Sequence, residues 1–339
     1  MKQMSEVVRT PGAQTVSPHS RAAPRWTAWV PQVAVLWPVL YGGLRLWWAL
    51  HGTPSFGKHH FDLIYFGGWS AVGLCVAAAL TSLALRFMRW NWPLFSVAWV
   101  VSAAHFIASP LLLLDLVSAL LPGLGMPFSP TGFFSRIACV IQGTLVAAST
   151  VAWRRHWRSE CMFCGRSGVI SRPPKPPRWA WWAAYGAVVG CLVRLAAQYL
   201  LAFGDLARHL NGTRLIIEAL LFEAGFLLAG VVLPLSLVHR WGRSFPAWIP
   251  SLGTRSVPRW LLLGPAFVLS PLMTAYFSIT LVKLATDTLR GLSSQTFDSL
   301  RPAFFWVAVP GYLVWGIGLG IAAISYWQTT RPQCRACEQ

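Results

Sequence analysis

Apolar stretches of about twenty residues or more alternate along this chain with short polar, basic segments. A helix advances about 1.5 Å per residue, so a run of that length crosses the roughly 30 Å apolar layer of a bilayer. Eight such runs can be drawn, at 28–50, 64–86, 93–121, 133–153, 179–203, 213–238, 259–285 and 303–327. The pattern predicts an all-α integral membrane protein with eight transmembrane helices.

Composition agrees. Hydrophobic residues make up 55% of the 339 positions and charged residues only 11%. The net charge of +18 could suggest nucleic acid, but the basic residues lie between the apolar runs, so a nucleic-acid partner is excluded and the bilayer is the expected one. Lys and Arg number 19 over the N-terminal tail, the loops after runs two, four and six, and the C-terminus; the opposite side, run ends included, holds seven. Positive residues stay inside, so both termini are expected in the cytoplasm. Arg far outnumbers Lys beside abundant Ala, Gly and Pro, which points to a GC-rich genome and a bacterial plasma membrane.

The runs also fall into two sets of four. Arg25-Trp26 opens the first set and Arg178-Trp179 the second; Pro93 is matched by Pro246, Ser109-Pro110-Leu111 by Ser270-Pro271-Leu272, Phe133-Phe134 by Phe304-Phe305 and Trp153 by Trp327. This predicts a tandem repeat of a four-helix unit, with a pseudo-twofold axis along the membrane normal. The expected divisions are a disordered cytoplasmic tail (1–24), a first half (25–165), a Pro-rich linker (166–177) and a second half (178–339).

Each half ends in a CxxC: Cys161-Met162-Phe163-Cys164 and Cys334-Arg335-Ala336-Cys337. Two such pairs among seven cysteines exceed chance, and both fall on the side where thiols stay reduced. Four thiolates suit a closed, structural tetrahedral zinc site made by Cys161, Cys164, Cys334 and Cys337; a dithiol redox relay is the competing reading. Cys75, Cys139 and Cys191 lie in apolar runs and read as core.

Charges inside the runs are the next candidates. Arg45 and Arg194 stand at similar depths in the two halves, and Glu218 and Glu223 lie in run six. These four predict a polar site in the outer half for an anionic or zwitterionic ligand, against an alternative of internal ion pairs. Glu218 and Glu223 are about 140° apart on a helix, so only one of them faces a given partner. His59, His60 and Asp62 in the first outer loop, with Asp115, are candidate acid–base or metal groups; a polar helix start is the plainer reading. His105 reads as hydrogen-bonded within the bundle, and the two Ser-Pro steps as kinks.

The stretch Tyr41-Gly-Gly-Leu-Arg-Leu-Trp-Trp-Ala-Leu-His-Gly52 resembles a Tyr-x-x-x-Lys-x-x-Trp-Ala-x-Gly-Gly segment of uncharacterised actinobacterial multipass membrane proteins. Arg45 stands in the Lys position and His51-Gly52 replaces the Gly pair. The resemblance implies a bacterial membrane location and no particular activity.

The expectation is therefore a protein that binds or transports a small polar or amphiphilic molecule. A membrane-embedded enzyme acting on a lipid or polyprenyl carrier and a non-catalytic scaffold are the alternatives.

Overall fold

The computed structural model describes residues 24–54, 56, 67–122, 128–158, 160–164, 176–202, 213–244, 255–290, 302–331 and 334. The tail expected at 1–24 and most of the linker expected at 166–177 lie outside these residues. Among the described residues, eight helices are long and apolar enough to cross a membrane: Trp26–His51, Trp69–Phe87, Trp92–Leu120, Pro130–Trp157, Arg178–Leu201, Ile216–Val238, Arg259–Leu289 and Ala303–Thr329. They are called spans one to eight. Their outward faces carry bare apolar side chains such as Leu40, Leu80, Val100, Trp182, Leu220 and Val282. Exposed to water these would be costly; against lipid they are at home. The chain is an all-α integral membrane protein.

Local sequence explains the helix starts. Asn91 caps span three by accepting the Leu94 amide at 2.7 Å, with Pro93 just inside the helix. Ser129 does the same for span four through the Gly132 amide at 3.3 Å, ahead of Pro130. Proline loses nothing there, because the first amides of a helix have no internal partner.

The Ser-Pro steps behave differently from each other. Span three is broken into helices Trp92–Ile107 and Leu112–Leu120 around Ser109-Pro110. The Ser109 hydroxyl satisfies the carbonyls of His105 and Phe106, both at 3.1 Å, which the break exposes. The second step gives no such break: helix Arg259–Leu289 runs on through Pro271. Spans five and six instead carry π-helical turns, Gln198–Ala202 and Leu228–Val232.

Packing follows one scheme twice. Span one packs on two and four, two on three and four, and three on four. Likewise five packs on six and eight, six on seven and eight, and seven on eight. The second half has an apolar core of small residues: Ala180, Ala184, Ala187 and Cys191 of span five against Leu319, Ala322, Ala323 and Tyr326 of span eight. Glycine permits the close approach, since a Cβ on Gly190 would meet the Gly311 carbonyl oxygen at 2.5 Å. The first half has smaller apolar clusters around Ala78, Val101 and Val146, and around Val30, Ala34 and Leu145. Spans three and seven join the halves, and Leu113 packs on the second-half core.

Candidate metal centre and buried arginine sites

The end of span four turns through Cys161-Met162-Phe163-Cys164, and Cys334 follows the end of span eight. The sulfurs of Cys161, Cys164 and Cys334 all lie within 4.8 Å of one another. Cys161 Sγ and Cys334 Sγ are 3.9 Å apart. Four sulfurs set tetrahedrally at about 2.3 Å around zinc are about 3.8 Å from each other, so the spacing suits a shared ion. It is far beyond the ~2.05 Å of a disulfide. Cys337 lies outside the described residues.

Arginines brace the Cys161–Cys164 turn. Arg155 donates to the Met162 carbonyl at 3.0 Å. Arg331, from the second half, donates to the Cys164 carbonyl at 3.1 Å and stacks on Trp327, its guanidinium carbon 3.4 Å from the ring centre. The Cys161–Cys164 turn is therefore joined to the second half through Arg331 as well as through the nearness of its sulfurs to Cys334.

Arg45 lies in span one, two turns before its end. It is 4% exposed. Its Nε donates to the Tyr41 hydroxyl at 2.8 Å and its Nη2 to the Ser135 hydroxyl. Rings of Tyr41, Trp48 and Phe56 surround it at 5.1, 5.5 and 4.9 Å. Among the described residues all its partners are neutral, and its Nη1 is buried without a hydrogen bond.

Arg194 in span five is 7% exposed. Its Nε donates to the Tyr312 hydroxyl at 2.6 Å, and its Nη1 lies 3.6 Å from the Glu223 carboxylate. Gln198, one turn on, donates to the same carboxylate at 2.6 Å, and the Phe226 ring lies 4.2 Å from the guanidinium. Each arginine thus makes its contacts within its own half, so the structure builds two arginine sites rather than one shared site. Of the two glutamates, Glu223 is the one paired with Arg194; Glu218 is buried at 9% exposure.

Asp115 is fully buried and accepts from Arg136 Nη1 at 2.5 Å. That pairing makes it one member of a buried ion pair within the first half. His59, His60 and Asp62 lie outside the described residues. His105 Nδ1 bonds its own helix at the Val101 carbonyl, 2.8 Å away.

Several contacts recur in the two halves. Ser102 Oγ of span three donates to the Gly143 carbonyl of span four at 2.9 Å; Ser270 Oγ of span seven donates to the Gly316 carbonyl of span eight at 2.8 Å. The Trp153 indole N–H donates to the Met88 carbonyl just past span two at 2.9 Å; the Tyr326 hydroxyl donates to the Gly242 carbonyl just past span six at 3.0 Å. Gly143 and Gly316, Trp153 and Tyr326, and Cys161 and Cys334 are all separated by 173 positions. At that spacing the buried positions of spans four and eight coincide almost throughout. Three residues before each arginine, Gly42 packs on Cys75 of span two, and Cys191 packs on Gly230 of span six. The pair is the same with its members exchanged.

This geometry corrects the residue matches read from the sequence. Ser270 stands where Ser102 does, not Ser109, and Tyr326 rather than Trp327 stands in the place of Trp153. The sequence reading had missed Tyr41, Ser135, Gln198, Tyr312 and Phe226. Tyr41 and Gln198 lie one helical turn from their arginines, which is a usable signal; the others come from distant spans.

No family model, no curated protein and no solved structure matches this chain.

Proposed function

We propose that this protein is a bacterial plasma-membrane protein, built by tandem duplication of a four-helix unit, that binds or moves a small polar or amphiphilic molecule at Arg45. The contrast between the two arginines carries this reading. Both keep an Nη1 without a hydrogen bond, but Arg194 has a carboxylate 3.6 Å away, whereas Arg45 is as buried and has only neutral partners among the described residues. A buried guanidinium in a membrane span costs several kcal/mol unless something compensates it. A charge kept there without an internal partner is the mark of a site for an external one. Both termini are read as cytoplasmic, which puts Arg45 in the outer half of the membrane. Mass spectrometry of small molecules that co-purify with the protein tests this. A species present with the native chain and lost in Arg45→Gln supports it; identical profiles refute it.

The cysteine turns belong to the same reading as a structural zinc clamp, with Cys337 as fourth ligand. A four-thiolate site has no open position, so it holds the halves together and does no chemistry. Elemental analysis is expected to find about one zinc per chain, lost in Cys161→Ser and in Cys334→Ser. Zinc near zero in the native protein would end the clamp.

A further inference from the structure

The second half shows what kind of group balances the charge of an arginine in this place. Around Arg194 it is an oxyanion, Glu223, with an aromatic ring, Phe226, beside it, both carried by span six. Span two stands in the corresponding position in the first half, and the Cys75–Gly42 contact fixes its register against Gly230–Cys191. The segment before Cys75 reads Gly68-Trp69-Ser70-Ala71-Val72-Gly73-Leu74 and contains no acid. Spans one and four also lack acids, and the Asp115 carboxylate of span three is bonded to Arg136, so among the described residues no carboxylate pairs with Arg45; Asp62 lies outside them.

Depth and lining narrow the ligand further. Arg45 lies six residues before the end of span one, about 9 Å along the helix axis. That is within reach of the headgroup layer for a group anchored by an apolar chain. The Tyr41, Trp48 and Phe56 rings offer apolar surface beside the guanidinium, and the Tyr41 and Ser135 hydroxyls already hold two of its nitrogens. The remaining nitrogen, Nη1, is the one buried without a hydrogen bond.

We infer that Arg45 binds the oxyanion head, carboxylate or phosphate, of an amphiphilic anion whose apolar part lies against these rings. The ligand supplies from outside what Glu223 and Phe226 supply within the second half. This inference rests on the Arg45 reading of the preceding section.

Calorimetric titration of the purified protein in a neutral detergent tests it with four ten-carbon probes: decanoate, decyl phosphate, decanol and decyltrimethylammonium. Saturable binding of decanoate or decyl phosphate is expected, with decanol and the cation at least tenfold weaker. Whichever anion binds more tightly identifies the head as carboxylate or phosphate. Arg45→Gln should weaken anion binding tenfold or more and Arg45→Lys by less, each with native zinc content as the check on folding. Decanol binding as tightly as the anions, still dependent on Arg45, overturns the oxyanion class and leaves the amphiphile reading standing. Acetate or inorganic phosphate displacing decanoate at equal concentration overturns the amphiphilic part. Absence of Arg45-dependent binding by any probe overturns both.

Discussion

The two halves pack their helices in the same pairs, yet their interiors differ. Among the described residues, thirteen of the twenty buried polar or charged side chains belong to the first half. The second half instead buries a continuous cluster of alanines, leucines and large rings. Span four shows the change position by position. Ser135, Gln142 and Ser149 recur every seven residues on one face; the places 173 residues on are Ala308, Trp315 and Ala322. The first half buries more polar groups, and each half keeps some at a cost: Arg45 Nη1 and Gln142 Oε1 in the first, and Arg194 Nη1 and Glu223 Oε2 in the second, are buried without a hydrogen bond. In a membrane interior that cost has no solvent to relieve it. Under the function proposed above, this difference is a division of labour: the second half is built to be stable, the first to hold something.

The sharpest way to break this comparison is to remove each arginine in turn. Arg194→Gln leaves the Glu223 carboxylate with the Gln198 amide but no counter-charge, and losing one partner of such a pair costs about 3 kcal/mol. The lower end of the range applies because Glu223 keeps 18% of its side chain exposed. Arg45→Gln abandons only neutral hydroxyls and rings while removing a buried charge, so about 1 kcal/mol or less is expected. Thermal unfolding in detergent reads both. Changing Arg194 and Glu223 together to leucine should recover most of the loss. If Arg45→Gln proved the more damaging, the division between a stability half and a binding half would fail.

The next test exchanges a contact between the halves. Gly230→Cys drives a side chain into Cys191, and overpacking of this kind costs about 2 kcal/mol. Cys191→Gly combined with Gly230→Cys writes the first-half arrangement, Gly42 against Cys75, into the second half. The pair should recover to within about 1 kcal/mol of the native protein. The remainder reflects Trp315, whose ring a Cβ on residue 230 would meet at 3.2 Å; the first half has Gln142 there. A double variant no better than the single would argue against a shared origin of the two contacts.

Much of this was open to reading beforehand, and the rest was hidden for definite reasons. The spans were legible because bilayer thickness sets helix length, and the cysteine turns because CxxC spacing is rare. Arg45 and Arg194 stood out because charges are scarce in such segments. Their different partners did not, since Glu223 and Tyr312 lie 29 and 118 positions from Arg194 and meet it only through helix packing. Matching the halves by residue identity misplaced Ser270 by two helical turns and Trp153 by one residue. Identity is a poor guide when a tryptophan N–H and a tyrosine O–H can each bond the same kind of carbonyl. The Asp115–Arg136 pair could have been anticipated, because the two charges flank one short connection at the same depth.

The smallest expected effect is also the one that should not distinguish the halves. Ser102 and Ser270 each donate one interhelical hydrogen bond to a glycine carbonyl, at 2.9 and 2.8 Å. Such bonds in membrane proteins contribute about 0.6 kcal/mol, because the separated helices find other partners. Ser102→Ala and Ser270→Ala should therefore each lower stability by about that amount, equally within error, when measured by denaturant titration in mixed micelles. Equal losses would mean that the helix frame is shared and that only its lining has diverged. A loss confined to Ser102 would place that hydroxyl in the polar lining of the first half, working with His105 and Gln142, and would extend the functional difference from the Arg45 end into the middle of the bundle.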